Sequence, residues 1–306
     1  MKKAGVLVNI IKIILGLIII ALLYIYLIYP NLSGEPTPLI INKIKVNITN
    51  VSGEIKMFYP NMRFTHNNFA YSFENCDANK MQRMKQAFSE ISSATGIITF
   101  AESQNADIMI GCSSDYLEKE KNVFVAGEGG PSEIYNSSWY PAILKGKILL
   151  YESECRAPVV ELHELLHVFG FEHINKSDYI MYPYVNCSLH LNQEYVNILK
   201  NLYSIPPKPE LYFENLSAVK KGSYLDFNAW IVNQGLVNST DSILIISTEN
   251  KEIKTFKLNE IPFGAKKNIA VQNLKLPSRN TKKIQFEIKT SEEEYSKTNN
   301  IAYASI

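Results

Sequence analysis

The sequence lacks an excess of either charge. Its 306 residues contain 31 Lys and Arg against 30 Asp and Glu, which gives a formal net charge of +1. Broad electrostatic binding of nucleic acid needs a basic excess or a basic face, so we predict no nucleic-acid partner. Low-complexity tracts and internal repeats are also missing. With 46% hydrophobic and 20% charged residues, the composition is typical of globular proteins rather than disordered ones.

One long apolar run stands near the N-terminus, at residues 5–29. Apart from Lys12 it carries no charge, and it reaches the roughly 20 residues that a bilayer-spanning helix requires. Lys2 and Lys3 precede it, so the positive-inside rule places residues 1–4 in the cytoplasm and the rest of the chain outside. We predict a single N-terminal transmembrane signal anchor. A cleaved signal peptide is the alternative, but the run is long for one and no A-x-A-like site follows.

Cysteine is scarce. The four cysteines are Cys76, Cys112, Cys155 and Cys187. Outside the cytoplasm such a set is typical of two disulfides, and four cysteines allow three connectivities.

Composition changes along the chain predict its organisation. A Pro-, Gly- and Ser-containing stretch opens residues 30–57, which we interpret as a stalk. Residues 58–205 mix strand and helix patterns. A stiff Pro-rich connector at Ser204–Pro209 then leads into residues 206–306, where short strands and turns predict an all-β sandwich.

Local signals place one helix in the mixed region. Asp77 is a suitable N-cap, three apolar residues at helical spacing follow, and Gly96 ends the pattern. A second helix is predicted to begin near Pro158, since proline suits the first turn.

The most specific motif is His163-Glu164-x-x-His167-x-x-Gly170-x-x-His173. Positions i and i+4 share a helix face, so the first two histidines can bind one ion, and a turn at the glycine can bring in the third. Three protein ligands leave a fourth position open, which is the catalytic zinc pattern. The glutamate can act as general base. Coincidence, and a zinc site without catalysis, are the alternatives.

Together with Met181-Tyr182-Pro183, this motif resembles the matrixin branch of the metzincin metalloproteases. The resemblance covers about residues 58–205 and implies an α+β fold with a mixed sheet and a zinc helix. It implies one catalytic zinc held by the three histidines, Glu164 as base and acid, and Met181 as the structural floor of the site. The residues implied to border the substrate pocket are Tyr182, Pro183 and Tyr184.

The same resemblance implies further features. The strands that end near Cys76 and Cys112 are parallel neighbours in metzincins, which implies a disulfide between these two and another between Cys155 and Cys187. A peptide substrate would pair with an edge strand near Val123–Gly127. Calcium is a candidate ion with no residue assigned. The sequence departs from the family in lacking a cysteine-switch propeptide and the His-rich loop of a second zinc.

Residues 210–306 resemble the CARDB-like, immunoglobulin-type modules of prokaryotic surface proteins. The segment Trp230–Gly235 and the turn at Gly264 are among the matching residues. The resemblance implies a core position for Trp230, and a role in stacking against a ligand is the alternative.

These observations predict a membrane-anchored, extracytoplasmic zinc endopeptidase acting on protein or peptide substrates. An inactive surface adhesion protein on a metzincin scaffold is the alternative, which would not need Glu164. A zinc hydrolase of non-peptide bonds is a third interpretation.

Overall fold

The computed structural model describes residues 12, 14–21, 23, 39–41, 55–120, 123–249 and 251–306, without the side chains of 39–41, 119–120 and 123–124. The described chain forms two compact units. The first unit comprises residues 55–210 and 234–238, and the second comprises residues 39–41, 211–233 and 239–306.

Most of the predicted anchor at residues 5–29 lies outside the described residues. Residues 12, 14–21 and 23 are helical. Within the described part of the chain, no helix is both long enough and apolar enough to cross a membrane. Further along, Leu39–Ile41 form strand β1. These three residues belong to the segment interpreted as a stalk, so part of that segment is a strand.

A six-stranded sheet is the framework of the first unit. Its strands are β2 (Arg63–Phe64), β3 (Asn68–Glu74), β4 (Thr99–Glu102), β5 (Ile108–Cys112), β8 (Gly127–Tyr135) and β9 (Ala142–Leu150). Strand β3 lies between β4 and β5, and β9 pairs with β5, β2 and β8. All pairings are parallel except the one between β8 and β9, which is antiparallel.

Strand β8 is an edge of this sheet, since β9 is its only strand partner in the described chain. The predicted edge near Val123–Gly127 is therefore displaced. Residues Val123–Val125 form strand β7, which pairs with β6 (Leu117–Glu120) in a separate two-stranded sheet. The edge strand begins only at Gly127 because that is where pairing with β9 starts.

Three helices accompany the sheet: α1 (Ala78–Thr95), α2 (Val159–Val168) and α3 (Gln193–Ser204). The predicted caps of α1 are confirmed. The side chain of Asp77 accepts hydrogen bonds from the backbone N–H groups of Asn79 and Lys80, and Gly96 ends the helix at a φ of 71°. Each cap satisfies backbone groups that the helix itself leaves unpaired.

Arg63 ties the start of the sheet to the end of α3. It is 1% exposed, and its guanidinium donates to the carbonyls of Leu202 and Ile205. It also lies over the ring of Tyr203, with Cζ 4.8 Å from the centroid. These carbonyls lie in the last turn of a helix, where no intrahelical donor reaches them, so a buried cation supplies the missing bonds.

Both predicted disulfides are present. Cys76 is joined to Cys112 and Cys155 to Cys187, with Cα–Cα distances of 4.8 and 5.2 Å. The first links the ends of the parallel neighbours β3 and β5. The second links the chain ahead of α2 to the chain ahead of α3.

The second unit contains two antiparallel sheets that share one apolar core. Its remaining strands are β10 (Leu211–Lys221), β11 (Tyr224–Asn233), β12 (Ser239–Thr248), β13 (Lys251–Ile261), β14 (Lys266–Lys275), β15 (Lys283–Thr290) and β16 (Ile301–Ser305). One sheet has the order β10-β11-β14 and the other β1-β16-β15-β12-β13. Phe227 and Phe286, one from each sheet, meet edge to face with centroids 5.3 Å apart.

The predicted core position of Trp230 is wrong. The burial pattern of β11 alternates, with Leu225, Phe227 and Ala229 facing the core. Successive side chains of a strand point to opposite faces. Trp230 therefore lies on the outer face of the sheet, where it is 38% exposed.

Candidate metal centre

Helix α2 presents the first two histidines. His163 and His167 are one turn apart, and their Nε2 atoms are 3.1 Å apart. The helix is almost wholly buried among apolar neighbours, as its mostly apolar sequence requires. Its position in the core therefore fixes the direction in which both imidazoles point.

A turn at Gly170 brings in the third histidine. This glycine has a φ of 92°, a conformation that favours glycine, and a Cβ there would lie 2.8 Å from the sulfur of Met62. Its N–H donates to the carbonyl of His167, and its own carbonyl accepts from the N–H of Phe58. The chain can therefore leave the helix abruptly and return His173 to the same point.

The three imidazoles converge. The Nε2 atom of His173 lies 3.0 Å from that of His163 and 3.1 Å from that of His167. Tetrahedral zinc, at roughly 2.0–2.1 Å from each nitrogen, would separate its ligands by about 3.3 Å. The donor set and its spacing therefore fit a single zinc ion, and these three residues form the one cluster of metal-ligating side chains found in the described chain.

Backbone carbonyls orient two of the rings. Nδ1 of His163 lies 2.6 Å from the carbonyl oxygen of Ile180, and Nδ1 of His167 lies 2.8 Å from that of Phe171. A carbonyl oxygen only accepts, so each Nδ1 carries the proton and each Nε2 keeps its lone pair for a metal. Burial also lowers the pKa of His163 to about 4 and that of His167 to about 3, which keeps both rings neutral.

The segment around Met181 locks this arrangement. Met181 is fully buried, and its carbonyl accepts from the N–H of Ile174, the residue after the third histidine. The N–H of Ile180 donates to the side chain of Asn192 at 2.9 Å. The backbones of Ile180 and Met181 thus hold the segments that carry His163 and His173, and the role of Met181 as the floor stays a prediction.

The residues predicted to border the substrate pocket come directly after Met181 in the chain. Tyr182 is half-buried, Pro183 is exposed, and Tyr184 is 64% exposed, with the two tyrosine rings 5.7 Å apart. Phe58, 40% exposed, lies nearly parallel to the ring of His167 with centroids 6.2 Å apart. The role of residues 182–184 stays a prediction, and calcium also remains a candidate with no assigned residue.

Glu164 lies against the edge strand. A Cβ on Gly127 would lie 2.6 Å from Cγ and 2.9 Å from Oε1 of Glu164, and one on Gly129 would collide with the backbone carbonyl of Glu164. The strand thus approaches α2 more closely than any side chain would allow. No feature of the sequence around residue 127 signalled this contact, because it joins residues that are distant along the chain.

Burial is the main cause that raises the pKa of Glu164, to about 8, and the charges of Glu128 and Glu161 add to it. Glu161 is itself buried and accepts a hydrogen bond from Nε of Arg83 at 2.7 Å. Without a metal, the carboxyl of Glu164 therefore retains its proton at neutral pH.

The metal-free protein should lose stability as pH rises from 6.5 to 8. The folded state keeps the Glu164 proton up to a pKa of about 8, whereas the unfolded chain releases it near 4.5. Glu164 alone contributes a loss of about 2 kcal/mol across this window. The unfolded histidines release their own protons in the same window and offset about half of it, so the net loss should be about 1 kcal/mol. Below pH 6.5 the sign reverses, because the unfolded chain protonates His163 and His167 while the folded state does not.

Urea unfolding of EDTA-treated protein at pH 6.5 and pH 8 measures this difference. The Glu164→Gln variant has no carboxyl to titrate and should show little loss between the two values. An equal loss in both proteins would contradict the assignment.

Comparison with known families agrees with this geometry. Residues 61–204, just under half of the chain, match the family model described as Matrixin, Peptidase_M10. No curated protein matches the chain. The resemblance of residues 210–306 to CARDB-like modules stays a prediction, because the match ends before them. Matrixins are zinc-dependent, and the match therefore supports a zinc metalloendopeptidase-like domain of metzincin type, in which His163, His167 and His173 are positioned to bind a metal ion.

Proposed function

We propose that the protein is a membrane-anchored zinc endopeptidase that acts outside the cytoplasm. The observation that carries the proposal is the convergence of three imidazole nitrogens, 3.0–3.1 Å apart, beside a buried carboxyl on the helix that carries two of them. The family match over residues 61–204 supports the same chemistry.

In this proposal the histidines bind the metal and Glu164 transfers protons. His163, His167 and His173 would hold the ion through Nε2. Zinc, when bound, supplies a Lewis acid that acidifies a water molecule and polarises the substrate carbonyl. Glu164 accepts the proton of the attacking water on a carboxylate oxygen and later delivers it to the leaving amine.

The surroundings of Glu164 suit proton storage. Its carboxyl is buried against β8, with Glu128 and Glu161 close enough to raise its pKa. A carboxylate with raised proton affinity is a stronger base toward water, and it retains the proton until the amine departs.

The free edge of β8 suits an extended substrate. Strand β9 occupies one side of it, so the backbone groups of the other side can pair with a peptide. Such a peptide would lie alongside Gly127 and Gly129, next to Glu164. Tyr182, Pro183 and Tyr184 would border the pocket for the residue after the scissile bond.

Replacing Glu164 by Gln should leave zinc content unchanged and lower the rate of peptide cleavage by at least about 10²-fold, because the general base is lost. His167→Ala should lose the metal, because the two histidines that remain are too few to hold it. The measurements are zinc by atomic absorption and cleavage of a peptide library by the purified chain.

The same assay separates the alternatives. A zinc-loaded wild type that cleaves no peptide would favour a binding protein on a metzincin scaffold. Hydrolysis of esters or non-peptide amides alone would favour the third interpretation. Full cleavage by Glu164→Gln would refute the role of this residue.

Gly127→Ala should slow catalysis without releasing zinc. The new Cβ would meet the carboxyl of Glu164 at 2.6–2.9 Å and displace it, while the histidines are untouched. We expect a fall in kcat of about tenfold or more, since proton transfer requires the carboxylate within hydrogen-bond reach. Gly130→Ala is the matched control on the same strand, because a Cβ there meets nothing within 4 Å. Equal effects of the two substitutions would contradict this interpretation.

The anchor rests on the apolar run at residues 5–29 and on Lys2, Lys3 and Lys12 at its N-terminal end. We expect the full chain to sediment with membranes and to resist carbonate extraction. A variant lacking residues 1–29 should be soluble. Release of the intact chain by carbonate would overturn the proposal, and protease accessibility of the C-terminal region in sealed cells would test its orientation.

A further inference from the structure

The three-stranded sheet of the second unit has an exposed outer face. Strand β11 is its central strand, and Tyr224, Asn228 and Trp230 project from it to the outside. Tyr224 is 44% exposed and Trp230 is 38% exposed. A large indole left in solvent at the centre of a sheet is unusual, because aromatic side chains are normally buried or engaged at binding surfaces.

Amide side chains flank the indole on both sides. In the strand registers, Asn215 of β10 and Asn268 of β14 lie directly opposite Trp230. Both are exposed, and the amide of Asn268 donates to the side chain of Asn228 at 2.5 Å. Each amide group offers both donors and an acceptor. The centre of the face thus combines one flat apolar ring with several bidirectional hydrogen-bonding groups.

Two ion pairs lie around this centre. Lys266 contacts both carboxylate oxygens of Glu214, at 2.6 and 2.7 Å, and Lys221 contacts Asp226 at 2.8 Å. These pairs place opposite charges together and add little net field, and Lys275, opposite Tyr224, contributes one exposed positive charge. A neutral polar ligand suits such a surface better than a phosphate backbone or an anionic membrane.

We propose that this outer face, centred on Trp230, binds a neutral polysaccharide. The C–H-bearing face of a sugar ring is apolar and stacks on the negative face of an indole. Its ring hydroxyls both donate and accept, as the amides of Asn215, Asn228 and Asn268 do. An apolar protein partner fits less well, because exposed neighbours such as Ser217 and the asparagines surround the indole with polar groups. This site is independent of the zinc site and of the proposed proteolysis.

The test uses the full chain and a defined panel. Cellulose, chitin, xylan and mannan are the neutral probes, and heparin is the anionic one. The chain has two tryptophans, so in a Trp139→Phe background the fluorescence reports Trp230 alone. We expect at least one neutral polysaccharide to bind and to change this fluorescence, with binding that persists at high salt. Trp230→Ala should weaken binding about tenfold or more, as loss of a central tryptophan typically does.

Two further variants separate binding from folding. Trp230→Phe keeps an aromatic face and should retain part of the affinity, whereas Asn268→Ala should reduce it. Tyr116→Ala removes another exposed aromatic, in the first unit, and should have no effect. Binding of none of the neutral polysaccharides would overturn the proposal, as would binding unchanged in Trp230→Ala or binding of heparin alone that salt abolishes.

Discussion

The close approach of the edge strand β8 to helix α2 is the constraint on which the site depends. Strand β8 passes over α2 at Gly127 and Gly129, where any Cβ would collide with Glu164. This contact excludes water from one side of the Glu164 carboxyl and holds the carboxyl in place. It also places the strand edge at which we propose that an extended peptide pairs next to Glu164. Strand, helix and reactive group therefore share one interface.

Burial gives the site its electrostatic character. Both helix histidines have a lowered pKa and Glu164 has a raised one, and desolvation is the largest cause in all three. The imidazoles are therefore neutral, as metal ligands must be, while the carboxyl binds a proton readily. The carbonyls of Ile180 and Phe171 add direction by accepting from Nδ1. One apolar environment thus sets the protonation of His163, His167 and Glu164 together.

Sequence reasoning succeeded where the signal is local. The spacing of His163, His167 and His173 follows from one helix and one turn, and the Asp77 cap requires only neighbouring residues. It was wrong for Trp230, because a β-sandwich strand has two faces and a single residue does not reveal which is inside.

Contacts distant along the chain were also missed. The strand at Leu39–Ile41 pairs with β16, near the opposite end of the sequence. The contact between Glu164 and β8 arises where the strand crosses α2, and no sequence motif indicates that crossing. Such features arise from tertiary packing, which local pattern and propensity do not encode.

The disulfide between Cys155 and Cys187 begins just before α2 and closes just after Tyr184. The three clustered histidines, Glu164 and Met181 all lie inside this covalent ring. A single peptide-bond cut within the ring would leave every ligand tethered to every other, so the two new ends could not diffuse apart. In the proposed endopeptidase, the ring would therefore keep the three histidines and Glu164 joined after one accidental cut in this segment.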